Sequence, residues 1–202
     1  FRNNKNVWNK IMATYNRIRY APRIGPGQVL LKTITASSSS DIQFTSGITS
    51  EYKEYLFVAA GFHPEEQNKV PQFQVSTDGG SSYGVTATTA FHVVEHAEDG
   101  SADNVYYQAS RDIQNGTDFQ PFAEGTGNQD DCCMDGYLHI YNPAGTTHVK
   151  LFHTSMMCQR NDAMAHGKAS GYFNTTNAIN AVKFQLSSGN IDAGTISMYG
   201  LN

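Results

Sequence analysis

The residues closest to a catalytic pattern are His92, Glu95 and His96, which fit the H-x-x-E-H spacing of one class of zinc peptidases. That chemistry requires both histidines on one face of a helix, with the glutamate as general base. The preceding residues 88–91, TTAF, are typical of a β-strand, and residues 98–101, EDGS, predict a turn. Residues 92 and 96 of a strand lie about 13 Å apart, too far to share one zinc ion. We therefore expect a strand here and no zinc site.

Three further histidines, His139, His148 and His153, fall on neighbouring predicted strands. His148 and His153 have opposite parity, so a regular strand directs their side chains to opposite faces. We expect surface or core roles for these histidines rather than a shared site.

The remaining candidates for metal ligands are three aspartates and three cysteines: Asp130, Asp131, Asp135, Cys132, Cys133 and Cys158. The aspartates lack the ligand spacing of a calcium-binding loop, which favours a solvated loop. The cysteines lack the C-x-x-C spacing of structural zinc sites. We predict no metal ion and no cofactor.

The sequence contains neither a phosphate-binding P-loop nor a dinucleotide fingerprint. A glycan-cleaving enzyme needs two carboxyl groups about 5–9 Å apart across a groove. Glu95, Asp99 and Asp135 supply carboxylates, but no pattern pairs them. We predict no catalytic residues and keep a glycan-cleaving enzyme as the least favoured alternative.

The elements that must position these residues are predicted to be β-strands. Charged residues make up 16% of the 202 residues, below the ~25% typical of globular domains. Gly, Ser, Thr, Asn and Gln fill the difference, as expected for strands joined by tight turns. The 39% of hydrophobic residues exclude an intrinsically disordered chain. No apolar run approaches the ~18 residues of a membrane-spanning helix.

Residues 28–202 predict one all-β domain, an antiparallel β-sandwich of the jelly-roll type. Roughly ten short strands alternate apolar and polar residues, with turn signals between them and no helical crossover. Residues 55–60 form a nearly continuous apolar run, which predicts a central strand.

Other segments of this domain are less regular. Residues 78–80 and 115–116 carry strong turn signals, which favour hairpins. Residues 123–136 predict a long polar loop, and residues 155–169 have no clear hydrophobic period.

Residues 1–27 predict a separate basic arm. The first 24 residues contain six Lys or Arg and no Asp or Glu, whereas the rest of the chain has 8 basic and 18 acidic residues. Apolar residues recur there at helical spacing, which predicts a short amphipathic helix that ends before Pro22. The helical stripe consists of Trp8, Ile11, Tyr15 and Ile18.

We expect this helix to anchor the protein to a partner protein through its apolar stripe. The positively charged residues beside that stripe are Arg17, Arg19 and Arg23. Contact with nucleic-acid phosphates or with a membrane surface are the alternatives. Six positive charges over 24 residues are few for nucleic acid, which we therefore do not expect as a partner.

The most distinctive stretch is residues 187–201, SSGNIDAGTISMYGL. It resembles the C-terminal signature S-S-G-N-I-x-x-G-T-I-x-x-Y-G of structural proteins in tailed phages of marine cyanobacteria and related marine bacteria. Residues 42–46, 74–83 and 171–179 resemble further pieces of this family in the same order. The resemblance therefore extends over about residues 28–202, by signature and spacing.

This resemblance implies a non-enzymatic virion structural protein with no catalytic residues to transfer. We expect a surface-displayed tail-fibre, knob or appendage component, assembled in the host cytoplasm, whose N-terminal segment binds other virion proteins. A displayed virion protein is normally symmetric, so we expect a homo-oligomer, preferably a trimer. The alternative is a capsid surface or decoration protein, or a small jelly-roll capsid protein whose basic arm contacts virion partners or nucleic acid.

Host surface glycans are a further expected partner. The aromatic side chains that suit stacking on sugars are Tyr106, Tyr107, Tyr137 and Tyr141. Packing in the core or between subunits explains these tyrosines equally well.

Overall fold

The computed structural model describes residues 27–160 and 162–202. These residues form 13 strands and a three-residue 3-10 helix, Ala109–Arg111. The strands are β1 (Val29–Thr35), β2 (Asp41–Phe44), β3 (Glu54–Pro64), β4 (Pro71–Ser76), β5 (Ala87–Ala97), β6 (Asp103–Tyr107), β7 (Gln114–Gly116), β8 (Gln120–Pro121), β9 (Met134–Tyr141), β10 (Lys150–Arg160), β11 (Ala163–Phe173), β12 (Ala181–Leu186) and β13 (Ile191–Leu201).

The strands form two antiparallel sheets. The large sheet has nine strands in the order β1-β13-β3-β9-β10-β11-β5-β6, with β7 also paired to β5. The small sheet has four strands in the order β2-β12-β4-β8. Their inward side chains form one hydrophobic core, so the predicted all-β antiparallel sandwich is confirmed.

Eight strands wind as a jelly roll. Strand β1 pairs with β13, β2 with β12, β3 with β9 and β4 with β8. These pairs are nested in the sequence and alternate between the large and the small sheet. That nesting is the double Greek key of a jelly roll, and we call these eight strands the jelly-roll half.

The other five strands, β5, β6, β7, β10 and β11, lengthen the large sheet beyond β9. They are inserted between β4 and β8 and between β9 and β12. We call these five strands the extension.

Aromatic side chains fill the space between the two sheets of the jelly-roll half. The Phe57 ring of β3 lies 5.3 Å from that of Phe44 in β2 and 5.6 Å from that of Phe184 in β12. Phe73 of β4 is fully buried and packs edge-on against Phe152 at 5.3 Å. Edge-to-face rings of this kind add to the free energy gained from apolar burial.

A connecting segment, residues 108–127, covers the inner side of the extension. Thr89 of β5 accepts a hydrogen bond from Ile113 N at 2.8 Å and donates one to Gln120 Oε1 at 2.6 Å. Arg111 Nη2 donates to Glu124 Oε2 at 2.7 Å, and both side chains are largely buried. Polar contacts from this segment, which includes β8 at the edge of the small sheet, thus cover the inner side of the extension.

The long β10–β11 hairpin differs most from the predicted strand pattern. It includes residues 155–169, whose sequence shows no hydrophobic period. Its inward side chains on β11 are small, Ala165, Gly167 and Ala169, and Thr154 of β10 also points inward. A hydrophobic alternation is difficult to see when small and polar residues occupy buried positions.

Two predicted hairpins were wrong. Gly79 and Gly80 do form a left-handed turn, but it joins β4 of the small sheet to β5 of the large sheet. Residues 115–116 lie in β7, which pairs with β5. The expected polar loop at 123–136 is only partly solvated, because residues 122–127 are buried against the core.

The predicted N-terminal arm lies outside the described residues. This holds for its apolar stripe, Trp8, Ile11, Tyr15 and Ile18, and for Arg17, Arg19 and Arg23. The anchor therefore remains a prediction.

Candidate functional site

The small sheet covers one side of the large sheet, which leaves the opposite side, here called the outer face, open. Strands β10 and β11 show the division, because their side chains alternate between buried and exposed or half-buried positions. Outward side chains of β3, β9, β10, β11 and β5 therefore form one broad, flat surface.

Cross-strand pairing brings two histidines together on the outer face. His139 of β9 is opposite His153 of β10, with ring centroids 5.3 Å apart. Tyr141 stacks on His139 at 4.4 Å, and its hydroxyl lies 3.3 Å from His153 Nδ1. Glu54 Oε2 lies 2.9 Å from His139 Nε2, an ion-pair distance without hydrogen-bond alignment. The two histidines lie on neighbouring strands, as predicted, but the sequence carries no local signal that they face each other.

A second contact on this face joins Ser155 Oγ to His166 Nε2 at 2.7 Å. Burial lowers the pKa of both His153 and His166, and the nearby charge of Lys168 lowers it further. Both imidazoles are therefore mainly neutral at pH 7. Ser155 pairs with Tyr137 of β9, and beside it Thr154 Oγ1 accepts a hydrogen bond from Ala169 N of β11 at 2.8 Å.

The outer face is apolar at its centre and carries opposite charges on its two halves. Leu151, Met157 and Met164 are 56%, 53% and 46% exposed. Acidic side chains lie on β3 and β9, and side chains with a basic or titratable nitrogen atom lie on β11 and β5. The acidic side chains are Glu54 and Asp135, and the side chains with basic or titratable nitrogens are Lys168, His166 and His92. Of these, Lys168 carries the positive charge of this half, because the His166 imidazole is mainly neutral at pH 7.

The H-x-x-E-H segment forms part of β5, as predicted. His92 and His96 are exposed on the outer face. Glu95 points to the inner side, where it pairs with Arg160 Nη1 at 2.9 Å. The three side chains do not converge.

The three carboxylates considered for glycan cleavage also lie apart. Glu95 is on the inner side of the extension, Asp99 is in the β5–β6 turn, and Asp135 is on the outer face. Asp135 Oδ1 accepts a hydrogen bond from Gly61 N at 2.6 Å. This arrangement does not place two carboxyl groups across a groove.

A cleft of about 370 Å³ brings together cysteine, histidine and aspartate. It is lined by Gly61, His63, Asp130, Cys132, Cys133, Asp192 and Ala193. His63 Nδ1 lies 3.3 Å from Asp192 Oδ2, and His63 Nε2 lies 3.1 Å from Gln129 O, so both ring nitrogens have partners. Burial raises the pKa of Cys133, which keeps its thiol protonated. A reactive cysteine has a lowered pKa, so this cleft does not hold an activated nucleophile.

Residues 80–84, GSSYG, have the G-x-S-x-G spacing of a nucleophile elbow. In the structure they lie in the β4–β5 connection, with no helix after them. Ser82 Oγ donates to Asp78 Oδ2 at 2.5 Å. The serine therefore supports the loop and has no histidine partner among the described hydrogen bonds.

Among residues 27–160 and 162–202, no three His, Cys, Asp or Glu side chains form a group that would hold a metal ion. The same part of the chain contains no helix long and apolar enough to cross a membrane.

The C-terminal signature has a structural explanation. Gly189 has a φ of +71° in the turn before β13. Gly194, with a φ of +113°, lies at a bulge where β13 crosses β3, as the motif suggested. A Cβ at Gly194 would lie 2.5 Å from Gly61 O, so only glycine fits. The signature fixes the geometry of β13.

The comparisons with known proteins show no family for this chain. No family model and no curated protein matches it. A solved structure from Bacteroides ovatus, titled as a structural genomics target of unknown function, aligns over 67% of this chain with 7% identity and a TM-score of 0.18. The alignment spans 45% of that protein's length. At this TM-score the similarity does not extend to a common fold or function.

Proposed function

We propose that this protein is a non-enzymatic structural component of a phage virion, displayed as part of a tail fibre, knob or appendage. The observation that carries the proposal is the outer face, a broad flat surface with apolar side chains and charges of both signs. Such a surface suits association with other proteins better than it suits catalysis. The resemblance of residues 187–201 to phage structural proteins supports the same interpretation.

The occupant of the outer face is a second copy of this chain. Glu54 and Asp135 of one copy would face Lys168 of the next, around the exposed Met157. Two copies that pack these faces fully against each other would form an isologous pair. An offset contact between different halves of the face is heterologous and closes into a ring where the rotation between copies permits it. A cyclic trimer is the expected assembly.

Particle composition tests the proposal directly. We expect antibodies raised against the purified chain to label intact virions, and peptides of the chain to be found by mass spectrometry of purified particles. Absence of the chain from purified particles would overturn the proposed function.

Light scattering of the purified chain tests the assembly surface. We expect a trimer that Met157→Glu dissociates, because a buried unpaired carboxylate is costly at an interface. Ser50→Glu adds the same charge at an exposed turn residue and should leave the trimer intact. A trimer that survives Met157→Glu would place the subunit contact elsewhere.

Substitutions in the N-terminal segment test whether it anchors the protein to the virion. We expect the double variant Trp8→Asp and Ile11→Asp to abolish incorporation into particles while the β domain remains folded. Asn9→Asp adds charge outside the apolar stripe and serves as the control. Normal incorporation of the double variant would contradict the anchor hypothesis.

The excess of six positive charges in residues 1–24 favours one second candidate, a capsid protein whose basic arm contacts nucleic acid or virion partners. This alternative predicts DNA binding with a steep salt dependence that is lost when residues 1–24 are deleted. Salt-independent or absent DNA binding would reject the nucleic-acid contact.

A further inference from the structure

Two loops of the sandwich line an open cleft of about 480 Å³. One wall is the β4–β5 connection, and the other is the segment that follows β11. The polar side chains that line it are Thr77, Ser82, Tyr83, Thr86, Asn174 and Thr175. The volume lies within the range of ligand-binding pockets.

The lining consists of hydroxyl and amide groups with one aromatic ring. Among the described residues, the hydroxyls of Thr77 and Thr86 make no hydrogen bond. The amide of Asn174 donates to Asn115 Oδ1 at 3.3 Å and retains further hydrogen-bonding capacity. The cleft therefore offers donors and acceptors but no formal charge.

The β4–β5 wall is held rigidly by Asp78. Its carboxylate accepts hydrogen bonds from Ser76 Oγ at 2.5 Å, from Ser82 Oγ at 2.5 Å and from Ser82 N at 3.0 Å. Those hydrogen bonds, led by that of Ser76, lower the pKa of Asp78 to about 2. The negative charge is thus satisfied inside the loop.

Tyr83 is fixed as well. Its hydroxyl donates to Gln43 Oε1 at 3.0 Å, and Lys183 Nζ lies 5.8 Å from its ring centroid. The charge of Lys183 is balanced by Asp41 Oδ2 at 3.1 Å. Because the hydroxyl is occupied, Tyr83 contributes mainly its ring to the cleft.

Asn180 joins the two walls. Its Oδ1 accepts from Gly79 N at 2.8 Å, and its Nδ2 donates to Thr77 O at 3.2 Å. Asn174 N donates to Thr86 O at 2.7 Å. The two walls are therefore preorganised, which lowers the entropy cost of binding a ligand.

We propose that this cleft binds a neutral sugar. Uncharged hydroxyl and amide groups match the hydroxyls of a sugar, and the Tyr83 ring matches its apolar face. The two charged side chains beside the lining already have partners, Asp78 in Ser82 and Lys183 in Asp41, so they leave no free countercharge for an ionic ligand. An apolar ligand would leave the hydroxyls unpaired.

The inference assigns a location to the host-glycan contact and rests on the proposed function only for the source of the sugar. The motif segments 74–83 and 171–179, far apart in sequence, meet at this cleft. Each segment contributes to the core, as Val75 and Phe173 show, but Thr77, Ser82 and Asn174 lie outside the core and line the cleft. It is to these polar side chains that we assign a ligand.

Saturation-transfer NMR on the full chain tests the site. The probes are neutral oligosaccharides of glucose, galactose, mannose and N-acetylglucosamine at millimolar concentration, with glucuronic acid and glucose 6-phosphate as charged comparisons. We expect signal transfer to at least one neutral probe and none to the charged ones. Transfer to no neutral probe, or only to the charged probes, would overturn the proposal.

Two variants test whether the sugar binds in this cleft. Gly84→Tyr fills the cleft, where a Cβ at position 84 meets only Thr117 Cβ at 3.9 Å, and should abolish transfer. Thr86→Val removes one hydroxyl without changing shape and should weaken the affinity about tenfold. Thr35→Val, at an exposed position of β1, is the control and should bind normally. Unchanged binding by both cleft variants would contradict the location.

The result of the sugar-binding experiment is independent of whether the chain is found in virus particles. A chain found in virions that binds no sugar would refute the cleft and leave the structural role standing. A chain absent from virions that binds sugar through this cleft would refute the structural role instead.

Discussion

The jelly-roll half and the extension share one continuous large sheet but are closed in different ways. In the jelly-roll half, a second sheet supplies aromatic rings such as Phe44 and Phe184. In the extension, residues 108–127 supply hydrogen bonds and the Arg111–Glu124 ion pair.

This difference shows two ways of covering a sheet. Apolar packing tolerates local rearrangement, whereas a buried polar cover depends on every partner being present. Residues 108–127, here called the polar cover, do not satisfy all of their buried polar atoms. Glu124 Oε1 and Arg111 Nε have no hydrogen-bond partner among the described residues. The two halves should therefore respond differently to substitution.

The largest effect is expected in the jelly-roll half. Phe44→Ala should lower the free energy of unfolding by about 3–5 kcal/mol, because it removes a fully buried ring that packs on Phe57 and Phe184 and leaves a cavity. Urea denaturation measures it. Phe119→Ala, at a half-buried position, is the control and should cost less than half as much. Equal losses would mean that packing between the sheets does not dominate this half.

The next effect concerns the polar cover. Glu124→Gln should cost about 3 kcal/mol, because the Arg111 guanidinium remains buried without its carboxylate. The double variant Arg111→Met and Glu124→Leu should recover most of that loss, since both charges are removed. A double variant less stable than Glu124→Gln would show that the ion pair is not the costly element.

A smaller effect is expected at Thr89. Thr89→Val should cost about 1–3 kcal/mol, because Ile113 N and Gln120 Oε1 lose their shared partner in a buried position. Thr88→Val lies on the same strand but on the outer face and should change stability by less than about 0.5 kcal/mol. Similar losses at both sites would indicate a general effect on β5 rather than loss of the hydrogen bonds.

The smallest effect is a pH dependence of the extension. His153 and His166 have lowered pKa values in the folded protein, so the unfolded chain takes up protons first as the pH falls. The contribution of these two histidines to the free energy of unfolding is fully present above pH 6.5, the ordinary pKa of histidine. It declines as the pH falls below 6.5, until the pH reaches the lowered pKa values of the folded protein. Denaturation midpoints at about pH 7.5 and about pH 5.5 measure the change.

The variant His166→Gln provides the matched comparison, because glutamine keeps a polar side chain but does not titrate. It should reduce the difference between the two midpoints. An undiminished difference would assign the pH dependence to other groups.

Much of the strand pattern was predictable because large apolar residues alternate in it. The run at 55–60 became the central strand β3, and 182–186 lies in β12. The β10–β11 hairpin was not predictable, because Ala165, Gly167 and Ala169 fill its buried positions. Large inward residues such as Phe152 and Met156 on β10 were the signal that a period-two search could have used.

The candidate sites were less predictable than the fold. The histidine contacts of the outer face depend on the register between β9 and β10, which places His139 opposite His153. The loop cleft depends on residues about 90 positions apart in the chain, such as Tyr83 and Asn174. Neither juxtaposition follows from local spacing.

The sequence by itself determined the all-β class and the antiparallel sandwich, because composition and the alternation of apolar and polar residues act locally. The tertiary structure decided the nested strand pairing, the extension of one sheet and the two walls of the cleft. These features depend on which distant strands pair and in which register, and that choice is made by the packing of the whole core rather than by any one segment.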